Sequence, residues 1–535
     1  MIAERSPVLV GVGQVRGNRD RTVAGAREPL RLLADAVHAA AADACETGTR
    51  LLRELDTIAL THVASWAYED LPRLLADRLA ADPRHTVAAP VGGHWPAALL
   101  DAAAARIAAG ETRVELVAGA EAAASTAMLA RAGVDPGADL GWTTDPGGPT
   151  PIGPDDLGSP AMLAAGIALP RRFYPMVDTA LGYALGEEPA ETMAAGAEVF
   201  AALSAVAADN PYAWNPVVRS ASDVARVGPD NRMICEPYPL GMTAMPLVDQ
   251  SAALLVTSVA AARAHGVPEE RMVHVWGGAG TDDAPDVLAR ADLAGSPALC
   301  ATFDRALAAA GLASDEIDVV DVYSCFPVVP RLAARYLGLP VSAVTGATGG
   351  HSAFGGPLSS YTLHSLAACA DRVRAGARTA LVHANGGYLT RQHAVVLGRE
   401  AHADTYVGDP TPHDAAEPGP PLRAVAGEVT VEAATVEYDR DGAPTQATWS
   451  RSPRRDTGSR AAPRRGTPRA PGPSPCSPAG RPRSRAPPSS DDGCGSSGSA
   501  SGSRSTRSNA PASTRSRTPP CGRSPWGPTG ERGCP

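Results

Sequence analysis

The sequence predicts an α/β fold built from two related halves, because one strand and helix pattern occurs twice, about 265 residues apart. The first copy covers residues 92–120 and the second covers 355–386, and each begins with a double glycine before an alanine- and leucine-rich stretch. Similar short segments precede the two copies, at 54–60 and at 316–322. Because both matches occur in the same order, they indicate an internal duplication, and strands that alternate with helices favour a mostly parallel, layered sheet.

The apolar patterns assign the elements of each half in chain order. The predicted elements are strand 7–13, helix 27–42, strand 57–61, helix 248–258, strand 272–280, helix 297–310 and strand 319–322. Each double glycine stands where a further helix begins, and glycine there lets backbone N–H groups meet an anion or a carbonyl oxygen. Since two related halves face each other, we predict a functional site at their junction.

Composition divides the chain into five segments. The predicted organisation is a first half (1–121), an inserted loop domain rich in proline, glycine and aromatics (122–245), a second half (246–400), a linker with a partial β-domain (401–450) and a tail (451–535). A long insertion within a compact fold is typical of a binding or lid segment. In the fourth segment, Val429, Val431 and Tyr438 indicate strands, and Arg440–Gly442 is a predicted hairpin turn.

Charge and cysteine content limit the class of protein. All 48 basic residues are arginine, and the net charge of −9 combines −21 for residues 1–450 (32 Arg, 53 acids) with +12 for 451–535 (16 Arg, 4 acids). An acidic body argues against nucleic acid as its partner. The nine cysteines form no CxxC pair, so we expect no metal site. Neither a signal peptide nor a membrane span is predicted, and we expect a cytoplasmic protein.

The tail has two interpretations. Residues 451–535 contain no Val, Ile, Leu, Met, Phe or Tyr, so they cannot bury a core, and we predict disorder. One interpretation is a genuine tail rich in Arg, Ser and Pro that binds acidic surfaces or nucleic acid. The other is a frameshift in GC-rich DNA, which the abrupt change within an apparent β-domain favours.

Three short motifs of the second half carry a family resemblance. They are D-V-Y-S-C-F at 321–326, T-G-G-H-S-A-F-G-G-P at 348–357 and A-N-G-G-Y at 384–388. They resemble motifs of the thiolase superfamily, and the resemblance covers about residues 5–400. It implies the thiolase fold, a five-layer α-β-α-β-α sandwich of two repeated βα halves with an inserted loop domain, here followed by a small C-terminal β segment and a disordered tail.

Within that superfamily, the sequence resembles thiolase-like proteins related to the sterol-carrier-protein type, often labelled acetyl-CoA acetyltransferases. The actinobacterial type 1 group carries an extra C-terminal domain that resembles an OB-fold, where residues 401–450 stand here. The resemblance implies acyl transfer on CoA thioesters in lipid metabolism, a CoA or acyl-CoA ligand, no other cofactor, and a homodimer formed through the thiolase core.

The catalytic side chains of the family are replaced in this sequence. The nucleophilic cysteine position falls near Gly93, and Tyr323 stands where an Asn or His holds the oxyanion water. The histidine of the glycine-rich motif becomes Gly356, and the acid/base cysteine becomes His383. Thiolysis needs a thiolate and a base, which glycine cannot supply, so we expect no ordinary thiolase turnover.

A rebuilt site would use other residues. The catalytic candidates are Cys325, Tyr323, His383 and His351, and the candidate substrate-binding residues are Gly92, Gly93, Gly355, Gly356, Asn385 and Gly386. Cys325 is either buried packing, which is the commoner role of a free cysteine, or a nucleophile beside a histidine. His383 either moves protons at the site or merely faces solvent in the cleft.

Two functions remain open at this point. The first is an acyl-CoA-handling enzyme of thiolase type with a remodelled site. The alternative is a non-catalytic acyl-CoA or lipid-binding scaffold protein. If the side chains of Cys325 and His383 both point at the space above Gly93, the enzyme hypothesis is favoured. If neither does, the hypothesis of a non-catalytic binding protein is favoured.

Overall fold

Strands and helices alternate through both halves of the chain. The computed structural model describes residues 3–151, 158–416, 419 and 429–453, which all belong to one compact unit. The helices are α1 Pro29–Ala44, α2 Thr49–Arg53, α3 Leu71–Leu79, α4 Trp95–Ala109, α5 Ala123–Ala132, α6 Pro136–Leu140, α7 Pro160–Ala164, α8 Pro170–Leu185, α9 Pro189–Ala208, α10 Ala221–Ala225, α11 Val259–Ala264, α12 Pro297–Ala310, α13 Val328–Leu337 and α14 Tyr361–Arg374. The strands are β1 Pro7–Arg16, β2 Thr57–Leu60, β3 His85–Ala88, β4 Val114–Ala122, β5 Met233–Cys235, β6 Tyr238–Pro239, β7 Asp249–Ser258, β8 Val273–Asp282, β9 Val319–Val322, β10 Thr379–Gly386, β11 Arg391–Gly398, β12 Asp409–Asp414, β13 Val429–Tyr438 and β14 Pro444–Pro453.

The strand order confirms the internal duplication. The first half has the order β3-β2-β4-β7-β1, and the second has β9-β10-β11-β8. In the first half β7 is antiparallel to its neighbours β4 and β1, and in the second half β11 is antiparallel to its neighbours β10 and β8. Strand β2 is parallel to β4, and in the same way β9 is parallel to β10. The half-sheets join through β1 and β8, where Val8 pairs with His274 and Leu9 with Val273. In the described part of the second half, no strand corresponds to β3.

Three apolar cores confirm the predicted five-layer sandwich. Helices α1 and α3 pack on the outer face of the first half-sheet, and α12 and α13 pack on the outer face of the second. Between the half-sheets lie α4 and α14, whose side chains Leu100, Ile107, Leu366 and Val373 are fully or almost fully buried. The two helices that follow the double glycines therefore form the central layer.

The predicted helix over 248–258 is wrong, because these residues form β7 at the middle of the first half-sheet. Leu254 and Val256 face the central layer, whereas Ala253 and Leu255 face the outer one. A strand buried on both faces is apolar at consecutive positions, so its sequence lacks the period-two alternation that marks a strand.

The inserted segment is mainly helical and contains α5 to α10 with the short strands β5 and β6. Within the described residues, α9 is the one helix long and apolar enough to span a membrane by length and composition. Its residues Val199, Phe200 and Leu203 are buried in the core shared with α12 and α13. A buried core helix passes the same test of length and apolar composition.

The predicted hairpin is formed by β13 and β14, with its turn at Arg440 to Gly442. It pairs with β5 of the inserted segment, in the sheet order β14-β13-β5-β6. Glu437 of β13 accepts hydrogen bonds from Arg171 and Arg172, both at 2.6 Å. The OB-fold-like domain stays a prediction, and the predicted disordered tail (451–535) lies outside the described residues from residue 454 onward.

Candidate functional site

The two double glycines meet at the junction of the halves, as their positions before α4 and α14 require. The Gly92 N–H donates a hydrogen bond of 3.1 Å to Ser359 Oγ, which lies just after the second double glycine. The Gly93 carbonyl accepts a weaker one from Thr362 Oγ1 at 3.4 Å. Both glycine loops therefore belong to one site in the central layer.

Gly93 has no room for a side chain. A Cβ atom built on Gly93 would lie 2.4 Å from Tyr323 Oη and 2.6 Å from the Asn385 carbonyl oxygen. Both distances are shorter than real Cβ contacts. The phenol of Tyr323 thus occupies the space that a nucleophile at position 93 would need.

His351 packs beneath Tyr323 and is held neutral. Its ring centroid lies 4.3 Å from that of Tyr323 and 3.5 Å from that of Tyr361, on which it stacks. Nδ1 lies 3.4 Å from Ser324 Oγ, while Nε2 has no hydrogen-bond partner within the described residues. The ring is 2% exposed, and burial holds its pKa well below the usual value. His351 can therefore accept a proton only at considerable cost.

His383 begins a chain of hydrogen bonds that fixes its tautomer. Gln392 uses its amide N–H to donate to Asn385 Oδ1 at 2.8 Å, so its Oε1 must accept from His383 Nε2, also at 2.8 Å. Asn385 donates to Tyr174 Oη at 2.8 Å, and Tyr174 donates to the Gly387 carbonyl at 2.8 Å. Each residue in this chain donates a hydrogen bond to the next one, beginning with His383. The imidazole of His383 must therefore carry its proton on Nε2.

His383 is therefore a neutral structural donor rather than a solvent-facing base. Its side chain faces the outer layer, with the ring 5.0 Å from that of Phe303 on α12. It is 1% exposed, and burial lowers its pKa to about 4 despite the bond to Gln392. The predicted alternative of a solvent-facing side chain is wrong, because the outer helices cover this face of β10.

Cys325 lies at the same network but is not activated. Its thiol is hydrogen-bonded to the Tyr174 hydroxyl, and Tyr174 stacks on Phe326 with ring centroids 4.8 Å apart. Burial raises the pKa of the thiol to about 12. Since the thiolate is the nucleophile, a thiol with this pKa is inert near neutral pH.

The remaining candidate glycines differ in the space around them. Gly355 has φ +121°, a conformation that favours glycine, and a Cβ there would lie 2.5 Å from Gln250 Oε1. A Cβ on Gly356 would meet His351 Cδ2 at 3.4 Å, an ordinary contact. A Cβ on Gly386 would lie 2.3 Å from His94 Nδ1. Burial lowers the pKa of His94 to about 3.

The candidate residues thus form one contiguous cluster. Gly93 contacts Tyr323 and Asn385, Tyr323 contacts His351, His351 contacts Gly356, and the Asn385 network reaches His383 and Cys325. Sequence reasoning missed Tyr174, Gln250, Tyr361 and Gln392, which fill or bridge the site. The F-Y-P motif at 173–175 was a signal for Tyr174, whereas Gln250 and Gln392 lie within strands and carry no motif.

Comparison with known proteins identifies the class of this fold and site. No protein-family model matches the sequence, and no curated protein matches it either. Among solved structures, the chain is similar to a monomeric SCP2-thiolase-like protein type 1 from Mycobacterium smegmatis, with 30% identity and a TM-score of 0.67. The match covers 81% of this chain and 87% of that one. The chain belongs to the thiolase superfamily.

More distant structures share the fold alone. The Ltp2-ChsH2(DUF35) aldolase is 20% identical with a TM-score of 0.55, covering 74% of this chain and 98% of that one. The dimeric peroxisomal thiolase of Saccharomyces cerevisiae is 13% identical with a TM-score of 0.54, covering 74% and 98%. These relatives include both a monomer and a dimer.

Proposed function

We propose that this protein binds acyl-CoA thioesters at the junction of its two halves and does not transfer the acyl group by thiolase chemistry. Of the two functions considered from sequence, this is the non-catalytic one. It acts as an acyl-CoA or lipid-binding protein of the cytoplasm. The observation that carries the proposal is the crowding at Gly93, where a side chain would collide with Tyr323 Oη.

The protonation and the contacts of Cys325 and His383 support the absence of covalent acyl transfer. Acyl transfer by a covalent route needs an activated nucleophile with a base in reach. Cys325 is a buried thiol with a pKa of about 12, and it bonds to Tyr174 rather than to a histidine. The proton of His383 is committed to Gln392. The ring of His383 lies against the outer layer, 5.0 Å from that of Phe303.

Binding is supported by the polar backbone that remains. The paired glycine loops and the strand end at Asn385 and Gly386 supply main-chain groups that need no side chain to meet a thioester oxygen. The similar Mycobacterium smegmatis structure is named as an SCP2-thiolase-like protein, and the family resemblance implies a CoA thioester ligand. Glycine loops that can still bind a ligand, beside a nucleophile position that Tyr323 fills, favour a protein that binds its ligand without converting it.

The decisive experiment separates binding from chemistry. Calorimetry with acetyl-CoA and a longer acyl-CoA is expected to show saturable binding, while acetoacetyl-CoA thiolysis stays at background. Intact-mass spectrometry after incubation is expected to show no acyl adduct and no release of free CoA. An adduct mapped to Cys325 would instead establish the enzyme hypothesis, and an absence of binding at millimolar ligand would refute both.

A further inference from the structure

The hairpin of β13 and β14 has one face packed on the protein and the other face in solvent. On the packed face, Ala433, Thr435 and Thr448 are at most 8% exposed, and Ala433 belongs to the apolar core that contains Phe173 of α8. The apolar side chains of the other face are exposed or half-buried, and they are Ala434, Val436, Ala447 and Trp449. These four residues form the outer apolar face.

The outer apolar face is one continuous patch. Trp449 pairs directly with Ala434 across the hairpin, and Ala447 pairs with Val436. Residues that pair across two strands, or that lie two positions apart on one strand, are neighbours on the same face of a sheet. The indole of Trp449, which is 55% exposed, therefore stands beside two small alanine side chains. The patch combines a protruding ring with a shallow area next to it.

The chain itself offers no apolar cover for this face. Strand β14 is at the edge of the sheet β14-β13-β5-β6, and among the described strands it pairs with β13 alone. Residues 454–535, which follow it, include one Trp and no Val, Ile, Leu, Met, Phe or Tyr. An edge strand with an exposed apolar face readily binds another chain. We therefore expect the cover to come from another molecule.

The charges favour a second copy of this chain over a charged partner. The four side chains carry no charge, so they cannot select a nucleic acid, an anionic lipid surface or a charged peptide by ion pairing. The same face of a second copy is equally uncharged. Each chain carries a net charge of −9, so two copies repel each other at long range, and salt screens this repulsion. Association of two copies should therefore strengthen with salt, whereas binding to an oppositely charged partner should weaken.

We propose that a second copy of this chain docks on the outer apolar face and forms a dimer with two-fold symmetry. A two-fold axis brings the same patch of both copies together, so Trp449 of each copy packs over Ala434 and Ala447 of the other. The ring then fills the shallow area of the facing copy and buries most of its apolar surface. This surface is separate from the dimer predicted through the thiolase core, and it does not depend on the proposed function.

The size of the face sets the strength of the dimer. A standard stable interface has roughly 20–30 residues on each side, whereas the outer apolar face has four. A face of this size offsets little more than the loss of free rotation and translation on association. We therefore expect a weak dimer, with a dissociation constant of about 10–100 µM.

Sedimentation equilibrium of the full chain tests this assignment. We expect the native protein to change from monomer to dimer as its concentration rises from about 1 µM to about 500 µM, and more completely at high salt. Trp449→Ser should weaken association at least about tenfold, because the ring is the main apolar contact. Leu240→Ser is the matched control, since Leu240 is 47% exposed and follows β6 at the opposite edge of the same sheet. This control should dimerise like the native protein.

A pair of charges at Ala447 tests the two-fold geometry without removing the ring. The Ala447 residues of the two copies lie on either side of the proposed axis. Ala447→Glu alone and Ala447→Arg alone should therefore both stay monomeric, because like charges meet across the axis. An equimolar mixture of the two variants should dimerise again, which a misfolded hairpin could not do.

Four results would overturn the proposal. The first is a native protein that stays monomeric over the whole concentration range, and the second is a dimer that weakens as salt is added. The third is a dimer that Trp449→Ser leaves intact or that Leu240→Ser weakens equally. The fourth is a mixture of the two Ala447 variants that remains monomeric.

Discussion

Gly93 and Gly356 occupy corresponding positions in the two halves but have different surroundings. A Cβ on Gly93 would meet Tyr323 Oη and a backbone oxygen inside 3.0 Å, whereas a Cβ on Gly356 meets nothing closer than 3.4 Å. We expect Gly93→Ala to lower the free energy of unfolding by about 1–3 kcal/mol, as overpacking does. Gly356→Ala should lower it by less than Gly93→Ala does, because the added methyl group meets only ordinary van der Waals contacts. Urea denaturation measures both, and equal stabilities would mean that Tyr323 moves aside and leaves the nucleophile position open.

His383 gives a second residue-scale prediction because its protonation differs between the folded and unfolded states. Burial lowers its folded pKa to about 4, below the ordinary value of 6.5, so the unfolded chain binds the extra proton. The stability contributed by the neutral ring is complete above pH 6.5 and is lost as pH falls towards 4. We expect the native protein to lose roughly 3 kcal/mol more than His383→Gln over this window. His38→Gln, at an exposed position, is the control, and parallel curves for the native protein and His383→Gln would contradict a neutral His383.

The sequence predicted most residues of the candidate site, but it did not predict their protonation or their hydrogen-bond partners. The motifs placed Gly93, Tyr323 and His383 at positions of known importance in the superfamily, and these residues or their networks do meet. Whether His383 acts as a base depends on Gln392, which lies on the next strand and shows no pattern of its own. Hydrogen-bond direction is set by partners distant in sequence, so it could not be inferred from the residue types alone.

At the scale of elements, the apolar patterns assigned α12 and β1 correctly but misassigned β7. Helix α12 was predicted over the residues it occupies, 297–310, because its apolar stripe and its N-terminal Ser296 and Pro297 mark the boundary. Strand β7 was taken for a helix because both of its faces are covered. The hairpin of β13 and β14 was predicted from its turn, but its partner β5 is three residues long, too short for any periodicity.

Glu437 is the polar anchor of this hairpin, and its removal is expected to loosen β13 specifically. The carboxylate accepts hydrogen bonds from both Arg171 and Arg172 and is largely buried. We expect Glu437→Gln to weaken docking by roughly 1–2 kcal/mol, since hydrogen bonds to charged groups contribute about that much. Hydrogen exchange should accelerate at β13 amides while β4 and β7 amides stay protected. Glu432→Gln removes the same charge from an exposed position of β13, and an equal effect there would exclude the ion pairs as the cause.

At the scale of the whole molecule, the halves are joined by shared burial rather than by a linker. Helix α4 belongs to the first half, yet it packs with β8 and β11 of the second, and α14 packs with β1 and β7 of the first. The central layer is therefore complete only when both halves are present. This arrangement explains why the candidate site lies at the junction, where both glycine loops begin the helices of that layer.

The last prediction concerns how much of the chain this architecture needs. The three apolar cores contain no residue beyond β13 among the described residues, and 451–535 offer no Val, Ile, Leu, Met, Phe or Tyr to extend them. Since apolar burial supplies most of the folding free energy, a chain ending at Pro453 should keep the native melting temperature and CoA affinity. Calorimetry of both chains measures this, with a chain ending at Asp414 as the control that lacks the hairpin and should melt earlier. A large drop in either quantity for the Pro453 chain would show that the arginine-rich tail is a working part of the protein, and would count against a frameshift as its origin.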